Sequence, residues 1–173
     1  MFSQTNQPIV TSCPREEVFC WRELPLVRCR LDLPHFPDGG RGMKRMERYY
    51  RRLEGALVRR LSRELGRYTA LAEQALARSR PLPFFWGETG FQVTYESRQL
   101  LSILWYARLD RSELRRADLW SLPEGLPENP ASLLPPGRAG RRRDKLLVRG
   151  EGIYALRGLD EELLAPLPKE LLT

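Results

Sequence analysis

Apolar side chains recur at three- and four-residue steps through Met46, Tyr50, Leu53, Leu57, Leu61, Leu65, Tyr68, Ala72, Ala75 and Leu76. That spacing predicts one long amphipathic helix over residues 42–80, buried along a single stripe. At about 100° per residue, Arg45, Arg48, Arg52, Arg59 and Arg63 fall on the side away from the stripe. Gly55 and Gly66 weaken the helix without ending it, and Pro81 and Pro83 stop it. About 38 helical residues would span about 57 Å, more than an ordinary domain diameter, so a bend near Gly66 or frayed ends are expected.

Alternation, the mark of half-buried strands, governs the segments on either side. EEVFCWREL (16–24) reads as a short strand ended by Pro25. LVRCRLDLP (26–34) sets Val27, Cys29, Leu31 and Leu33 against Arg28, Arg30 and Asp32. A turn cluster at 35–40 leads into the helix, with Asp38 as a candidate cap. Beyond the helix, 81–90 reads as an aromatic-rich connection. FQVTYE (91–96) places Phe91, Val93 and Tyr95 on one face, and LLSILWYARL (100–109) follows as its hairpin partner. RADLWSL (116–122) adds a short strand. Residues 123–145 are rich in proline and glycine and read as a loop. A second hairpin turns at Gly150-Glu151-Gly152, and 159–173 reads as a helical turn or two.

The expected fold class is therefore α+β: one long amphipathic helix packed on an antiparallel sheet of about four to five strands. The expected organisation is an N-terminal lead-in over 1–25 with a short strand, then a single domain over 26–173.

Composition narrows the function classes only slightly. Hydrophobic residues make up 42% and charged residues 29% of 173, which fits a folded domain with a core. No apolar run approaches the about 20 residues of a membrane span, and the first residues lack the pattern of a secretory signal. The expected location is cytoplasmic, or extracytoplasmic if a leader has been removed. The net charge of +7 and pI near 9.8 allow nucleic acid, an acidic protein or an anionic surface as partner, or an arginine-rich solvated surface with no partner. The three cysteines, Cys13, Cys20 and Cys29, match neither a zinc nor a redox spacing and read as free thiols, a Cys13–Cys20 pairing staying open for an exported chain.

Catalytic signals are sparse. The sole histidine, His35, has no second ligand or nucleophile at useful spacing. Glu16-Glu17 and 160–162 are adjacent acids without sign of a shared cleft. GGRG (39–42) precedes the helix but lacks a phosphate-loop context. No catalytic, cofactor or metal residue is nominated. The binding candidates are Arg45, Arg48, Arg52, Arg59, Arg63, Arg141, Arg142 and Arg143, whose guanidinium forks pair with phosphates or carboxylates. Phe84, Phe85, Trp86 and Trp105 read either as core or as base-stacking platforms.

Three stretches carry a family resemblance: LDLPHF with RMERYYRRLE (45–54), FQVTYESRQLLSILWYARL (91–109) and LLVRGEGIYAL (146–156). Together, over roughly residues 26–157, the chain resembles a domain-of-unknown-function family. That family occurs in the extracytoplasmic part of lysozyme-sensing anti-sigma factors (RsiV-like) and beside peptidoglycan deacetylase domains. The family's Gly-Gly-Ala-His segment is replaced by DRSELRRAD (110–118), so no catalytic residue carries over. The resemblance implies a non-enzymatic binding module that takes a protein or a glycan. The alternative, from the charge, is a nucleic-acid or acidic-partner binder using the arginine face of the helix.

Overall fold

The computed structural model describes residues 9–37, 39–135, 145–150 and 152–171. In chain order the strands are β1 (Thr11–Ser12), β2 (Arg15–Trp21), β3 (Leu24–Leu31) and β4 (Pro34–His35), followed by the helix α1 (Arg41–Ala77). Then come β5 (Phe85–Glu96), β6 (Leu100–Leu109), β7 (Ser112–Ser121), β8 (Leu126–Pro127), β9 (Lys145–Arg149), β10 (Gly152–Arg157) and β11 (Asp160–Pro166). Short 3-10 turns lie at Pro130–Leu133 and Lys169–Leu171.

The chain is mostly β, which corrects the expected helix on one antiparallel sheet of four to five strands. A six-stranded sheet runs in the order β2-β3-β5-β6-β7-β8, a separate three-stranded sheet in the order β11-β10-β9, and β1 pairs with β4. Nor is the large sheet wholly antiparallel. β3 and β5 are parallel, and α1 is the crossover between them. Parallel neighbours cannot be joined by a tight turn, so a helix between two adjacent strands is the natural connection.

The large sheet is the middle of three layers. On one face Leu101, Ile103, Trp105 and Trp120 pack against Met46 and Tyr50 of α1. On the other, Leu100 and Leu119 pack against Val148 and Ile153, and Leu104 against Leu147 and Leu156. The closing hairpin thus does not extend the sheet under the helix; it covers the opposite side. The sign of this was the unbroken apolar run of β6, since a strand buried on both faces loses its alternation. Sequence pattern alone leaves such a run ambiguous, because it does not say what lies on each side.

Two bulges account for other departures. Pairing of β5 with β6 skips between Val93 and Tyr95. The extra residue turns Tyr95 to the face opposite Phe91 and Val93, where it joins the second sheet's core. Thr94 then reaches across the layers: its Oγ1 donates to the Val148 carbonyl at 2.7 Å and lies 3.0 Å from Ser102 Oγ, which accepts the Val148 N–H at 3.3 Å. Likewise β10–β11 pairing skips Leu164. That break hides the alternation of residues 160–166, which form a strand rather than the expected helical turns. Similarly, β7 extends from Ser112 rather than starting near Arg116, and β5 begins inside the expected connection. Pro25 does not end a strand; it sits in β3 at the bulge opposite Cys20.

The helix buries Met46, Tyr50, Leu61, Tyr68 and Ala72, while Leu76 in its last turn is 48% exposed. Its first turn presses on the segment after β7. A Cβ on Gly42 would lie 1.9 Å from the Pro123 carbonyl oxygen, and Gly125, at φ +62°, would meet Gly42 in return. Neither position has room for a side chain. The helix is preceded by Gly40 with no side-chain cap, and the candidate cap Asp38 lies outside the described residues.

Glu47 holds the connection before the helix in place. Its carboxylate accepts the Phe36 N–H at 2.8 Å and Arg51 Nε at 2.6 Å, and lies 2.9 Å from His35 Nδ1. Burial works against its charge, but these hydrogen bonds outweigh burial and hold its pKa below the ordinary 4.5. A carboxyl lowered in the folded state stabilises fully above its unfolded pKa and ceases to as pH falls through the folded value. Glu47→Gln is therefore expected to be less stable than wild type near neutral pH, with the gap shrinking as pH falls below about 4.5. Urea unfolding of both proteins across that range measures it.

Candidate functional site

One helix about 10–12 Å across cannot roof a six-stranded sheet whose strands are about 4.8 Å apart. The uncovered part lies along β7. Two clefts follow that flank of α1, of about 530 Å³ and about 470 Å³. The larger, beside the second half of the helix, has an apolar floor of Leu31, Leu57, Leu61, Ala107 and Leu109. Among the described residues its rim carries four arginines and four acids, and Arg108 bridges Glu88 at 3.0 Å and Glu113 at 2.9 Å.

The smaller cleft is the better candidate site. Arg45, Arg48 and Arg52 from α1 face Arg116, Asp118 and Trp120 of β7, with Tyr49 and Glu128 completing much of its lining. Steps of three and four put the helical arginines on one flank. Among the described residues none of these three forms an ion pair with a carboxylate. Arg45 donates to the Glu124 carbonyl at 3.3 Å and Arg48 to the Lys44 carbonyl at 3.2 Å. Their remaining donors are available to a ligand.

The wall behind them is rigid. Asp118, 7% exposed, accepts Trp105 Nε1 at 2.9 Å and Tyr50 Oη at 3.2 Å on one oxygen. The other oxygen accepts Arg116 Nε at 2.9 Å and Tyr49 Oη at 3.3 Å. Tyr50 in turn accepts Trp120 Nε1 at 3.1 Å. An ionised carboxylate has about four acceptor sites, and all are used here. Burial, then the Asp118 charge, push the Tyr49 hydroxyl up to about 12, with Arg116 opposing. Tyr50 is raised well above its ordinary value for the same first two causes. Neither phenol is a base at neutral pH.

The structure divides the arginines that the helical pattern grouped. Arg45, Arg48 and Arg52 converge on the smaller cleft; Arg59 and Arg63 are exposed and line neither cleft. Arg141, Arg142 and Arg143 lie outside the described residues. Arg116 and Asp118 were missed. Their only signal was an acid in the middle of a strand between apolar neighbours, and nothing in the sequence said that two tyrosines and a tryptophan would surround it. Trp105 is core at 1% exposure and Phe85 stacks on Tyr68 at 4.1 Å, whereas Phe84 and Trp86 are 53% and 44% exposed. All three cysteines are free; Cys29 is buried beneath the larger cleft. Among the described residues no group of His, Cys, Asp and Glu could hold a metal, and no helix is long and apolar enough to cross a membrane.

Fold and site together define a three-layer, mostly β domain with a helical crossover and an arginine-lined cleft at its flank. No family model matches the chain, and no curated protein matches it. Among solved structures it is similar to a DUF3298 family protein from Pseudomonas aeruginosa PAO1, with 11% identity, 93% of this chain and 91% of that one covered, and a TM-score of 0.51. At that identity the likeness is one of fold. It agrees with the resemblance to a domain of unknown function, and it carries no link to lysozyme-sensing anti-sigma factors.

Asp118→Asn would turn an amide N–H toward donors and leave at least one of them unpaired in the core. It is expected to cost about 2–4 kcal/mol in urea unfolding. The thiols separate in a second experiment. Burial, followed by the charges of Glu17 and Glu88, raises Cys29 to about 11. The exposed Cys13 and Cys20 are therefore expected to react rapidly with a thiol reagent at pH 8 in the native protein, and Cys29 only on unfolding.

Proposed function

We propose that this protein is a non-enzymatic binding module whose site is the cleft between the N-terminal half of α1 and β7, and that it recognises an anionic group on a protein or glycan partner. The observation that carries this reading is the convergence of Arg45, Arg48 and Arg52, without carboxylate partners among the described residues, over a wall locked by Asp118. Guanidinium groups recognise carboxylates and phosphates through paired hydrogen bonds, and a preformed wall reduces the entropy lost on binding. Binding is favoured over catalysis because among the described residues no serine, cysteine or histidine lines this cleft and Asp118 has no free acceptor site. A sensing role at the cell envelope would use the same cleft, but it rests on the resemblance alone.

Nucleic acid is the less favoured partner. Tyr49 and Trp120 meet edge to face at 5.0 Å and Trp120 is buried, so neither ring presents a free face on which a base could stack.

The test is titration with tetraglutamate at low salt, measured by isothermal titration calorimetry. Replacing Arg48 and Arg52 together with Gln is expected to weaken binding roughly tenfold, two exposed charge contacts being worth about 0.5–1 kcal/mol each. Replacing Arg59 and Arg63 is expected to leave it unchanged. Equal weakening by both pairs would mean a diffuse charge effect and would remove the cleft as the site.

A further inference from the structure

We infer that the two clefts are successive parts of one groove, and that its occupant is an extended segment of a partner protein carrying acidic residues at one end and apolar residues at the other. This rests on the reading of the smaller cleft as an anion site.

Both clefts are lined by α1 on one side and by residues of β7 on the other. On α1 the smaller cleft ends at Arg52 and the larger begins at Leu57, about 7.5 Å further along the axis. On β7 the gap is shorter still: Leu114 lines the larger cleft and Arg116 the smaller. From the middle of Arg48–Arg52 to the middle of Leu57–Leu61 is about 14 Å, which about four extended residues span. The two parts differ in chemistry. The first gathers arginines with no carboxylate partners among the described residues, whereas in the second Arg60, Arg67, Arg108 and Arg111 are balanced by Glu64, Glu88, Asp110 and Glu113 around apolar side chains. Leu114 stands 37% exposed at its edge, and Ala107 and Leu109 beside it are only half-buried against α1.

Charge complementarity selects the acidic end and the apolar floor selects the other. A uniform polyanion would satisfy the first cleft, but it would gain no net attraction from the balanced charges of the second and would leave its apolar side chains uncovered. A peptide with both characters meets both. Burial of leucine-sized side chains in the second cleft supplies affinity that the exposed arginine contacts alone do not.

Fluorescence anisotropy of labelled peptides on the full chain tests this. One heptapeptide has four glutamates, a serine and two leucines; it is made in both orders, because the groove does not specify direction. Its control has serines in place of the leucines. The leucine peptide, in one of its orders, is expected to bind about tenfold more tightly than the control. Leu114→Ser is expected to remove that advantage without changing the control's affinity, since Leu114 is partly exposed and lies outside the arginine cleft. Equal binding of the leucine and serine peptides, or an advantage that survives Leu114→Ser, overturns the groove while leaving the anion site intact. Failure of every peptide to bind at low salt overturns the anion site and the groove with it. Oligothymidylate binding as tightly as the leucine peptide, with the same loss on Leu114→Ser, makes the occupant nucleic acid and overturns the proposal.

Discussion

Asp118 is a carboxylate on the face of a sheet where a helix packs, and it receives hydrogen bonds from both. Tyr49 and Tyr50 reach it from α1, Trp105 from the neighbouring strand β6, and Arg116 from two residues earlier in β7 itself. A buried charge without partners would be expelled or neutralised, so its presence requires all the donors to be in place together. That requirement fixes how far along and at what rotation the helix sits on the sheet. Apolar contacts tolerate sliding, whereas this cluster does not. Trp120, bonded to Tyr50, extends the same restraint to the outer part of β7.

Once the helix is held there, the rest of the surface follows. A single helix reaches from Trp120 of β7 at its start to Leu26 and Val27 of β3 at its end, and leaves clefts along the β7 side of the sheet. The three-stranded sheet covers the opposite face through Val148, Ile153, Leu147 and Leu156. Two layers thus close the back of the molecule while the front remains part-covered, and the arginines of the first helical turns border that gap. Site and scaffold therefore share residues: the acid that locks the helix is also the wall of the cleft.

The arginine content acquires a different meaning in this setting. A charge of +7 over the chain says little by itself, because some guanidiniums are engaged in local pairs, such as Arg108 with Glu88 and Glu113 or Arg149 with Glu161, and others, such as Arg59 and Arg63, are exposed and line neither cleft. Surface pairs of this kind contribute little stability. Their consequence is to single out the arginines that have no such partner and stand together.

Local pattern was enough to read the long helix and the half-buried alternation of Val27, Cys29 and Leu31, because both depend only on spacing within one element. It was also enough to nominate Arg45, Arg48 and Arg52. It did not separate them from Arg59 and Arg63, since neighbours on a helix face look alike until the opposing strand is known. Nor did it reveal the second sheet or the parallel β3–β5 pair. Bulges at Thr94 and Leu164 reset the alternation, and an apolar run such as that of β6 does not say what covers each side. Only the tertiary structure decided that Asp118 is a buried hub and that the flank of β7 is a cleft. Both depend on donors and surfaces brought together from more than sixty residues apart in sequence, as Tyr50 and Asp118 are.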